Sequence, residues 1–184
     1  MTALGFAPGG GRFPTETGPS GEGGARPEAG RMGRAGASGG DIEAAKRLVV
    51  RPAQPEDAGA MAGILHAWVA RTAWMPKRHG LRETEGFCAA LVPGALVAER
   101  GGVAGFLALE EEEVVALYCR DRGAGVGRAL LDAAKAGRGR LSLRTFAANA
   151  GARRFYAREG FREVGGTAGA NAEGLPDVWL EWRR

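Results

Sequence analysis

The chain has 184 residues and a formal net charge of +4, and this length permits one domain of ordinary size with a hydrophobic core. No run of about 18 apolar residues occurs, so we expect no membrane span and no membrane partner. The two cysteines and two histidines stand apart from one another, without the spacing of metal ligands, so we also expect no metal site.

The first part of the chain, residues 1–46, differs in composition from the rest. It holds 13 of the 32 glycines and shows no hydrophobic period. A segment this poor in large apolar groups does not offset the entropy lost on ordering. We therefore predict a disordered Gly/Pro/Ala-rich tail at 1–46 and a single folded domain at 47–184. The tail lacks the basic start and apolar core of a secretory signal, and two cysteines without such a signal indicate free thiols. We accordingly expect a cytoplasmic protein.

The folded part carries the whole excess of positive charge. Its arginines are spread along the last third of the chain without the interleaved aromatic residues that single-stranded nucleic acids need. Attraction of an anionic cofactor would account for the charge equally well. We therefore expect no nucleic-acid partner.

Periodicity and turn residues predict alternating elements in the folded part. Helix signals are clear after Pro55, where proline and two acids suit a first turn. The pair Gly101-Gly102 between two apolar runs predicts a hairpin. In chain order we predict a strand at 48–51, helices from 55 and at 82–91, strands at 95–99, 103–109 and 114–119, a helix from 126 to 137, a strand at 141–146, a helix at 149–158, and strands at 161–164 and 178–182.

The stretch from Glu113 to Leu131 predicts an anion site. A β-favouring run ends at Cys119, a basic glycine-rich turn follows, and helical spacing begins at Val126. The first N–H groups of a helix have no partners within it, and the helix dipole is positive there. Glycines let the backbone close around a phosphate. The spacing of these glycines fits neither a dinucleotide fingerprint nor a nucleoside-triphosphate loop, so we predict that the turn holds a different pyrophosphate.

Two motifs carry a family resemblance. The turn reads Arg-x-x-Gly-x-Gly at Arg122, Gly125 and Gly127, which resembles the signature of the GNAT superfamily of acyl-CoA-dependent N-acetyltransferases. The segment 149–161, NAGARRFYAREGF, is similar to the superfamily's Asn-x-x-Ala-x-x-Phe-Tyr-x-x-x-Gly-Phe segment. The resemblance covers residues 47–184. It implies an α/β (α+β) fold with a mixed, mostly antiparallel sheet of about six to seven strands, about four flanking helices, and a splayed strand pair at the cofactor site.

The resemblance also implies a function. It is that of an acyltransferase, an N-acetyltransferase that moves the acetyl group of acetyl-CoA, its co-substrate, to a primary amine by direct attack through a tetrahedral intermediate. The acceptor would be a small-molecule or peptide amine, and a homodimer stays open. The alternative is an acyl-CoA-binding sensor or regulatory module with little catalysis, which the long tail and the uncertain general base favour.

The resemblance assigns roles to individual residues. A backbone N–H near Leu117 would stabilise the oxyanion, and Asn149 would both cap a helix and bind the pantetheine arm. Tyr156 matches the general acid that protonates the leaving thiolate, although a tyrosine packed between helix and sheet is the alternative. The expected cofactor-binding residues are Leu117, Tyr118, Cys119, Arg122, Gly123, Ala124, Gly125, Val126, Gly127, Arg128, Asn149 and Tyr156.

The general base and the acceptor site are less determined by the sequence. Glu111 and Glu113 stand at the start of the strand that leads to the glycine turn, and a glutamate there acts on the amine in many relatives. Four consecutive acids are otherwise typical of a solvated turn. His79 is the rival base, and a structural role is the alternative. Trp74, in the same interhelical connection, is either an acceptor-site residue or a staple between that loop and the core.

Overall fold

The computed structural model describes residues 47–184 and the backbone of Thr2–Ala3. The predicted disordered tail at 1–46 otherwise lies outside the described residues. The strands are β1 Thr2–Ala3, β2 Val49–Pro52, β3 Ala95–Glu99, β4 Val103–Glu110, β5 Glu113–Cys119, β6 Arg140–Phe146, β7 Arg162–Thr167 and β8 Asp177–Arg183. The helices are α1 Ala58–Arg71, α2 Leu81–Leu91, α3 Val126–Lys135 and α4 Ala150–Arg158, with short 3-10 helices at Pro55–Asp57 and Val92–Gly94.

The strands form one mixed sheet in the order β2-β3-β4-β5-β6-β8-β7, with β1 pairing to β5. Every pair is antiparallel except β5 with β6, which is parallel. This architecture confirms the predicted fold class, including the number of helices.

Two hydrophobic clusters cover the two faces of the sheet. The first joins α3 and α4 to the sheet through side chains such as Leu130 and Phe155. The second joins α1 and α2 to the opposite face through side chains such as Met61 and Cys88. Each face of the sheet is therefore covered by two of the described helices. None of the described helices has the length and apolar character needed to cross a membrane.

A bulge in β5 determines where the sheet opens. Ala116 faces Ala108 of β4, while Val114 faces Leu109, so Val115 is an extra residue in β5. A bulge bends its strand and increases the local twist. Pairing of β5 with β6 stops at the same place, because the ladder between them contains only the positions of Glu113 and Val114. The second half of β5 therefore separates from β6, as the predicted splayed strand pair requires.

Candidate functional site

The glycine turn after β5 lines a cavity of about 180 Å³ at the start of α3. Gly125 precedes the helix in the left-handed conformation, with φ of 78°, which glycine adopts without steric cost. The first N–H groups of α3 lie at this end of the helix and have no partners within it. The cavity is lined by Cys119, Asp121, Gly123, Ala124, Gly125, Val126, Gly127, Arg128, Phe155, Arg158 and Glu159.

Neighbouring elements hold this turn in place. Nη1 of Arg100, in the β3–β4 hairpin, donates to the carbonyl oxygen of Ala124 at 3.2 Å. A Cβ atom on Gly127 would lie 3.2 Å from the ring of Phe155, so glycine permits the close packing of α3 on α4. The turn is thus a fixed cradle of backbone N–H groups, the arrangement that binds anions in proteins.

Most of the predicted cofactor residues of the turn lie around this one cavity. Arg122 is the exception, since it is exposed and outside the lining. Phe155, Arg158 and Glu159 were not predicted. They stand at i, i+3 and i+4 of the C-terminal part of α4, and this helical spacing in the sequence would have placed them on one face.

The edge of β5 beyond the bulge is open toward β6 and accepts an extended chain. The backbone of Thr2–Ala3 pairs there in antiparallel register, with Ala3 opposite Leu117 and Thr2 opposite Tyr118. The segment also lies against β6 and α4. The observed pairing demonstrates that the backbone groups of Leu117 and Tyr118 are geometrically able to bind a strand-like partner between the separated strands.

Two hydroxyl groups are buried on α4 and β6, the elements that lie against the added segment. Tyr156 is fully buried on α4, between the rings of Phe155 and Phe161, and its hydroxyl has no hydrogen-bond partner among the described residues. Burial raises the pKa of Tyr156 well above the ordinary value, with smaller effects of Cys119 and Tyr118. The hydroxyl of Thr145 on β6, which sequence reasoning did not single out, is also buried without a partner in the described part of the chain. Buried hydroxyls are normally hydrogen-bonded, so both are candidates for contact with a ligand.

Two further predicted residues stand at the start of α4 and at the end of β5. Asn149 precedes α4, and its Oδ1 accepts a hydrogen bond from the N–H of Ala152 at 3.2 Å, so the predicted helix cap is confirmed. Cys119 is a buried free thiol, and its pKa is raised to about 11, chiefly by burial. A thiol with this pKa is protonated at neutral pH and is a poor nucleophile.

A second cavity, of about 30 Å³, lies on the opposite face of the sheet, between α1, the α1–α2 loop and the β7–β8 loop. Nη1 of Arg78 in the first loop donates to the carbonyl oxygen of Ala172 in the second at 3.0 Å, which ties the two loops together. The cavity is lined by Leu65, His66, Val69, Met75, Pro76, Arg78, His79, Thr84 and Glu173.

No protein-family model and no curated protein matches the chain. Solved structures do match. Apo YjaB from Escherichia coli is 24% identical, with a TM-score of 0.62 over 74% of this chain and 97% of that one. Salmonella typhimurium yncA, solved with its cofactor acetyl-CoA, is 20% identical, with a TM-score of 0.59 over 74% and 94%. An acetyltransferase of the GNAT family from Streptococcus pneumoniae is 23% identical, with a TM-score of 0.52 over 73% and 97%. The chain has the GNAT fold.

Within this GNAT fold, two predicted residues of the α1–α2 loop remain, His79 and Trp74, and only His79 lines the second cavity. His79 lines the cavity, and its Nδ1 lies 3.7 Å from an oxygen of Glu83. Trp74 does not line the cavity but packs edge-on against Trp68 and Phe146, with ring centroids 5.8 and 5.5 Å away. These ring contacts attach the α1–α2 loop to the hydrophobic core, as expected if Trp74 has a structural role.

The two glutamates predicted as general bases, Glu111 and Glu113, lie at the start of β5, where this strand pairs with β6. Glu111 is exposed in the β4–β5 turn, and Glu113 lies 3.6 Å from the Nε atom of Arg144. Leu117 is four positions after Glu113, which is about 13 Å along an extended strand. Neither glutamate lines either cavity. Among the described residues there is no group of three or more His, Cys, Asp or Glu side chains that could hold a metal ion.

Proposed function

We propose that the protein is an N-acetyltransferase that transfers the acetyl group of acetyl-CoA to a primary amine. One observation carries the proposal: a glycine cradle at the start of α3 lies directly beside the open edge of β5. The cradle suits a diphosphate and the open edge suits an extended amide chain, and coenzyme A contains both groups in this order.

The diphosphate would bind the N–H groups of the turn and the N-terminus of α3, where the helix dipole is positive. Arg128 and Arg158 line the same cavity and add full positive charge, while Asp121 is already paired with Arg120 at 2.9 Å. The pantetheine arm would then follow β5 as an added strand, in the place that Thr2–Ala3 takes in the structure. Asn149, at the start of α4, is the proposed side-chain partner of that arm.

The acetyl carbonyl would reach the backbone near Leu117, whose N–H group is the proposed donor to the oxyanion. The neutral amine nitrogen forms a bond to the carbonyl carbon and gives one proton to solvent water, and collapse of the tetrahedral intermediate breaks the carbon–sulfur bond. Tyr156 is the proposed acid, whose phenol gives its proton to the departing sulfur. The raised pKa of Tyr156 keeps this proton in place throughout the neutral range, and its hydroxyl has no competing partner among the described residues.

Transfer would be direct rather than through an acyl-cysteine. Cys119 is the one thiol that lines the glycine cavity, and its raised pKa, about 11, leaves it uncharged at neutral pH. Thiolate, not thiol, is the attacking species in covalent catalysis. We do not include Glu111 and Glu113 in the proposed mechanism, because they lie at the far end of β5 from the opening.

The position of these glutamates favours a second candidate function, an acyl-CoA-binding module with little catalysis. Such a protein would use the same cradle and the same edge of β5, but would need no base. The two candidates differ in one measurable property, the release of coenzyme A thiol in the presence of amines.

The test is thiol release from acetyl-CoA across a panel of primary amines, with the wild type and Tyr156→Phe. We expect turnover by the wild type, and a turnover number lower by about 100-fold or more in the variant, with little change in the KM for acetyl-CoA. The melting temperature should not fall, since the removed hydroxyl has no partner among the described residues. Binding of acetyl-CoA without thiol release by any amine would favour the module, and equal turnover by both proteins would remove Tyr156 from the mechanism.

A further inference from the structure

Arg100 lies in the β3–β4 hairpin and reaches the glycine turn without lining its cavity. Its Nη1 donates to the carbonyl oxygen of Ala124 at 3.2 Å, while its Nε is buried and has no hydrogen-bond partner among the described residues. A buried donor without a partner costs free energy of folding. The side chain therefore takes a position that its own hydrogen bonding does not fully reward, beside the proposed diphosphate site.

The hairpin is bonded to the start of the same turn, which fixes where Arg100 stands. A register shift after Ala98 leaves Ala104 of β4 without a cross-strand partner in β3. The carbonyl oxygen of Ala104 accepts from the N–H of Arg120, the first residue after β5, at 2.8 Å. The N–H of Arg100 itself donates to the carbonyl oxygen of Gly102 at 2.9 Å, which closes the hairpin. The Arg100 side chain thus extends from a framework that already holds the beginning of the turn.

The peptide that Arg100 holds carries one of the free N–H groups at the start of α3. The first hydrogen bond of the helix runs from the N–H of Ala129 to the carbonyl oxygen of Gly125, at 3.0 Å. The N–H groups of residues 125–128 are therefore not used by the helix, and all four residues line the glycine cavity. The N–H of Gly125 belongs to the same peptide unit as the carbonyl of Ala124.

The orientation of this peptide decides whether its N–H group faces a bound anion. A trans peptide is planar, with its C=O and N–H groups pointing in opposite directions, and no cis peptide occurs among the described residues. The carbonyl of Ala124 points to Arg100, which is outside the cavity lining, so the N–H of Gly125 points away from Arg100. Glycine adopts positive and negative φ about equally well, so the peptide before Gly125 would otherwise turn over at little cost. The hydrogen bond from Arg100 selects one of the two orientations.

We propose that Arg100 is a positioning residue of the diphosphate site, which holds the Ala124–Gly125 peptide with its N–H group toward the anion. Donation by a guanidinium also polarises the peptide, because hydrogen bonds in series strengthen one another, so the N–H of Gly125 becomes a stronger donor. Arg100 acts through this peptide and not by direct contact, since it does not line the cavity. This inference rests on the proposed binding of acetyl-CoA at the turn.

The experiment compares Arg100→Met with the matched control Arg47→Met. Arg47 is exposed just before β2, and the start of β2 pairs with the end of β3 beside the hairpin, so both variants remove one positive charge at this end of the sheet. Calorimetry measures the affinity of the full-length protein for inorganic pyrophosphate and for acetyl-CoA, at equal ionic strength. Thermal unfolding and the amide proton resonance of Gly125 are recorded for each protein, with and without pyrophosphate.

We expect Arg100→Met to bind both ligands about tenfold more weakly than the wild type, the effect of one charge-assisted hydrogen bond, and Arg47→Met to bind them nearly as well as the wild type. The resonance of Gly125 should move downfield with pyrophosphate in the wild type and in Arg47→Met, and less in Arg100→Met. The melting temperature of Arg100→Met should stay close to that of the wild type, because a buried donor without a partner is removed together with the bond to Ala124.

A pyrophosphate affinity in Arg100→Met equal to that of the wild type would overturn the inference. An equal loss in Arg47→Met, or a wild type in which pyrophosphate does not bind or leaves the Gly125 resonance unmoved, would do the same. Should Arg100→Met fail to fold, Arg100→Gln replaces it with the same expected loss, because the amide nitrogen of glutamine stands where Nε of arginine stands, two bonds short of Nη1. A wild type that binds pyrophosphate but not acetyl-CoA would refute the proposed function, and the pyrophosphate titrations would still decide the role of Arg100.

Discussion

The only two tyrosines of the chain are both buried at the opening of the sheet, on opposite faces. Burial raises the pKa of Tyr118 and the pKa of Tyr156, because a phenolate would lose its hydration in either place. The two cysteines behave in the same way, with pKa values raised to about 12 for Cys88 and about 11 for Cys119. All four groups are therefore uncharged in the folded protein at neutral pH.

This burial predicts a loss of stability at alkaline pH. For an acidic group whose pKa is higher in the folded state than in the unfolded state, the contribution to the free energy of unfolding is fully present below the unfolded-state pKa. That contribution falls as the pH rises above the unfolded-state pKa, because the unfolded chain then loses the proton and the folded chain keeps it. The unfolded values are about 8.5 for cysteine and about 10 for tyrosine. We therefore expect the free energy of unfolding to fall progressively above about pH 8.5, and more steeply above about pH 10.

Tyrosinate absorbance and circular dichroism, followed together during an alkaline titration, measure this effect. Because no tyrosine is exposed, the phenolate signal should appear in the same transition in which the secondary structure is lost. Ionisation of either tyrosine near pH 10, in a protein that keeps its full circular dichroism signal, would contradict the buried positions.

At the scale of elements, α4 begins with a side-chain cap, Asn149, which is also the proposed partner of the cofactor arm. Oδ1 of Asn149 accepts from the N–H of Ala152. Asn149→Ala should lower the free energy of unfolding by about 1 kcal/mol, whereas Asn149→Ser should keep it nearly unchanged, because serine caps equally well. If the amide also binds the pantetheine, both variants should bind acetyl-CoA more weakly than the wild type.

Urea unfolding and acetyl-CoA calorimetry on the same two variants separate these roles. A serine variant as unstable as the alanine variant would show that the cap contributes little. Full acetyl-CoA affinity in both variants would leave Asn149 with a structural role alone.

The pairing of β1 with β5 predicts competition between the chain itself and acetyl-CoA. Thr2–Ala3 lies along the backbone positions proposed for the pantetheine. Replacing both residues with proline removes two backbone donors and disfavours strand pairing. We expect the double variant Thr2→Pro, Ala3→Pro to bind acetyl-CoA several-fold more tightly than the wild type, as measured by calorimetry at equal ionic strength. An equal or weaker affinity would mean that the segment does not compete at this edge.

At the scale of the whole molecule, the sheet separates two cavities. The glycine cavity is on the face of α3 and α4, and the second cavity is on the face of α1 and α2. The bulge at Val115 lies where the pairing of β5 with β6 ends. The proposed cofactor site therefore lies on the face that α3 and α4 cover.

Much of this architecture follows from local sequence signals. The turn from Cys119 to Val126 was predictable because strand propensity, glycines and helical spacing follow one another without a break. The cap at Asn149 was predictable for the same reason, since it depends on residues close in the chain. Such signals identify both the fold and the glycine cavity.

Local sequence patterns do not predict the features that depend on contacts between segments far apart in the chain. Glu173 lies in a loop rich in glycine and small residues, and only the folding of that loop over α1 makes it a buried carboxylate. The register shift that isolates Val115 arises from the pairing of two strands, not from either strand alone. Glu113 has the residue type of a base, but its distance from Leu117 along β5 is set by the place where the sheet opens.

The central claim is that the turn around Gly125 binds the diphosphate of acetyl-CoA, and calorimetry with a matched pair of variants tests it most directly. Asn and Asp both tolerate the left-handed conformation of Gly125, and a Cβ atom there meets no other atom within 4 Å. The wild type should bind acetyl-CoA, Gly125→Asn should bind it slightly less well, and Gly125→Asp should bind it at least about tenfold more weakly than Gly125→Asn, because its charge repels the diphosphate. A wild type without affinity for acetyl-CoA, or an aspartate variant that binds as well as the asparagine variant, would contradict the account.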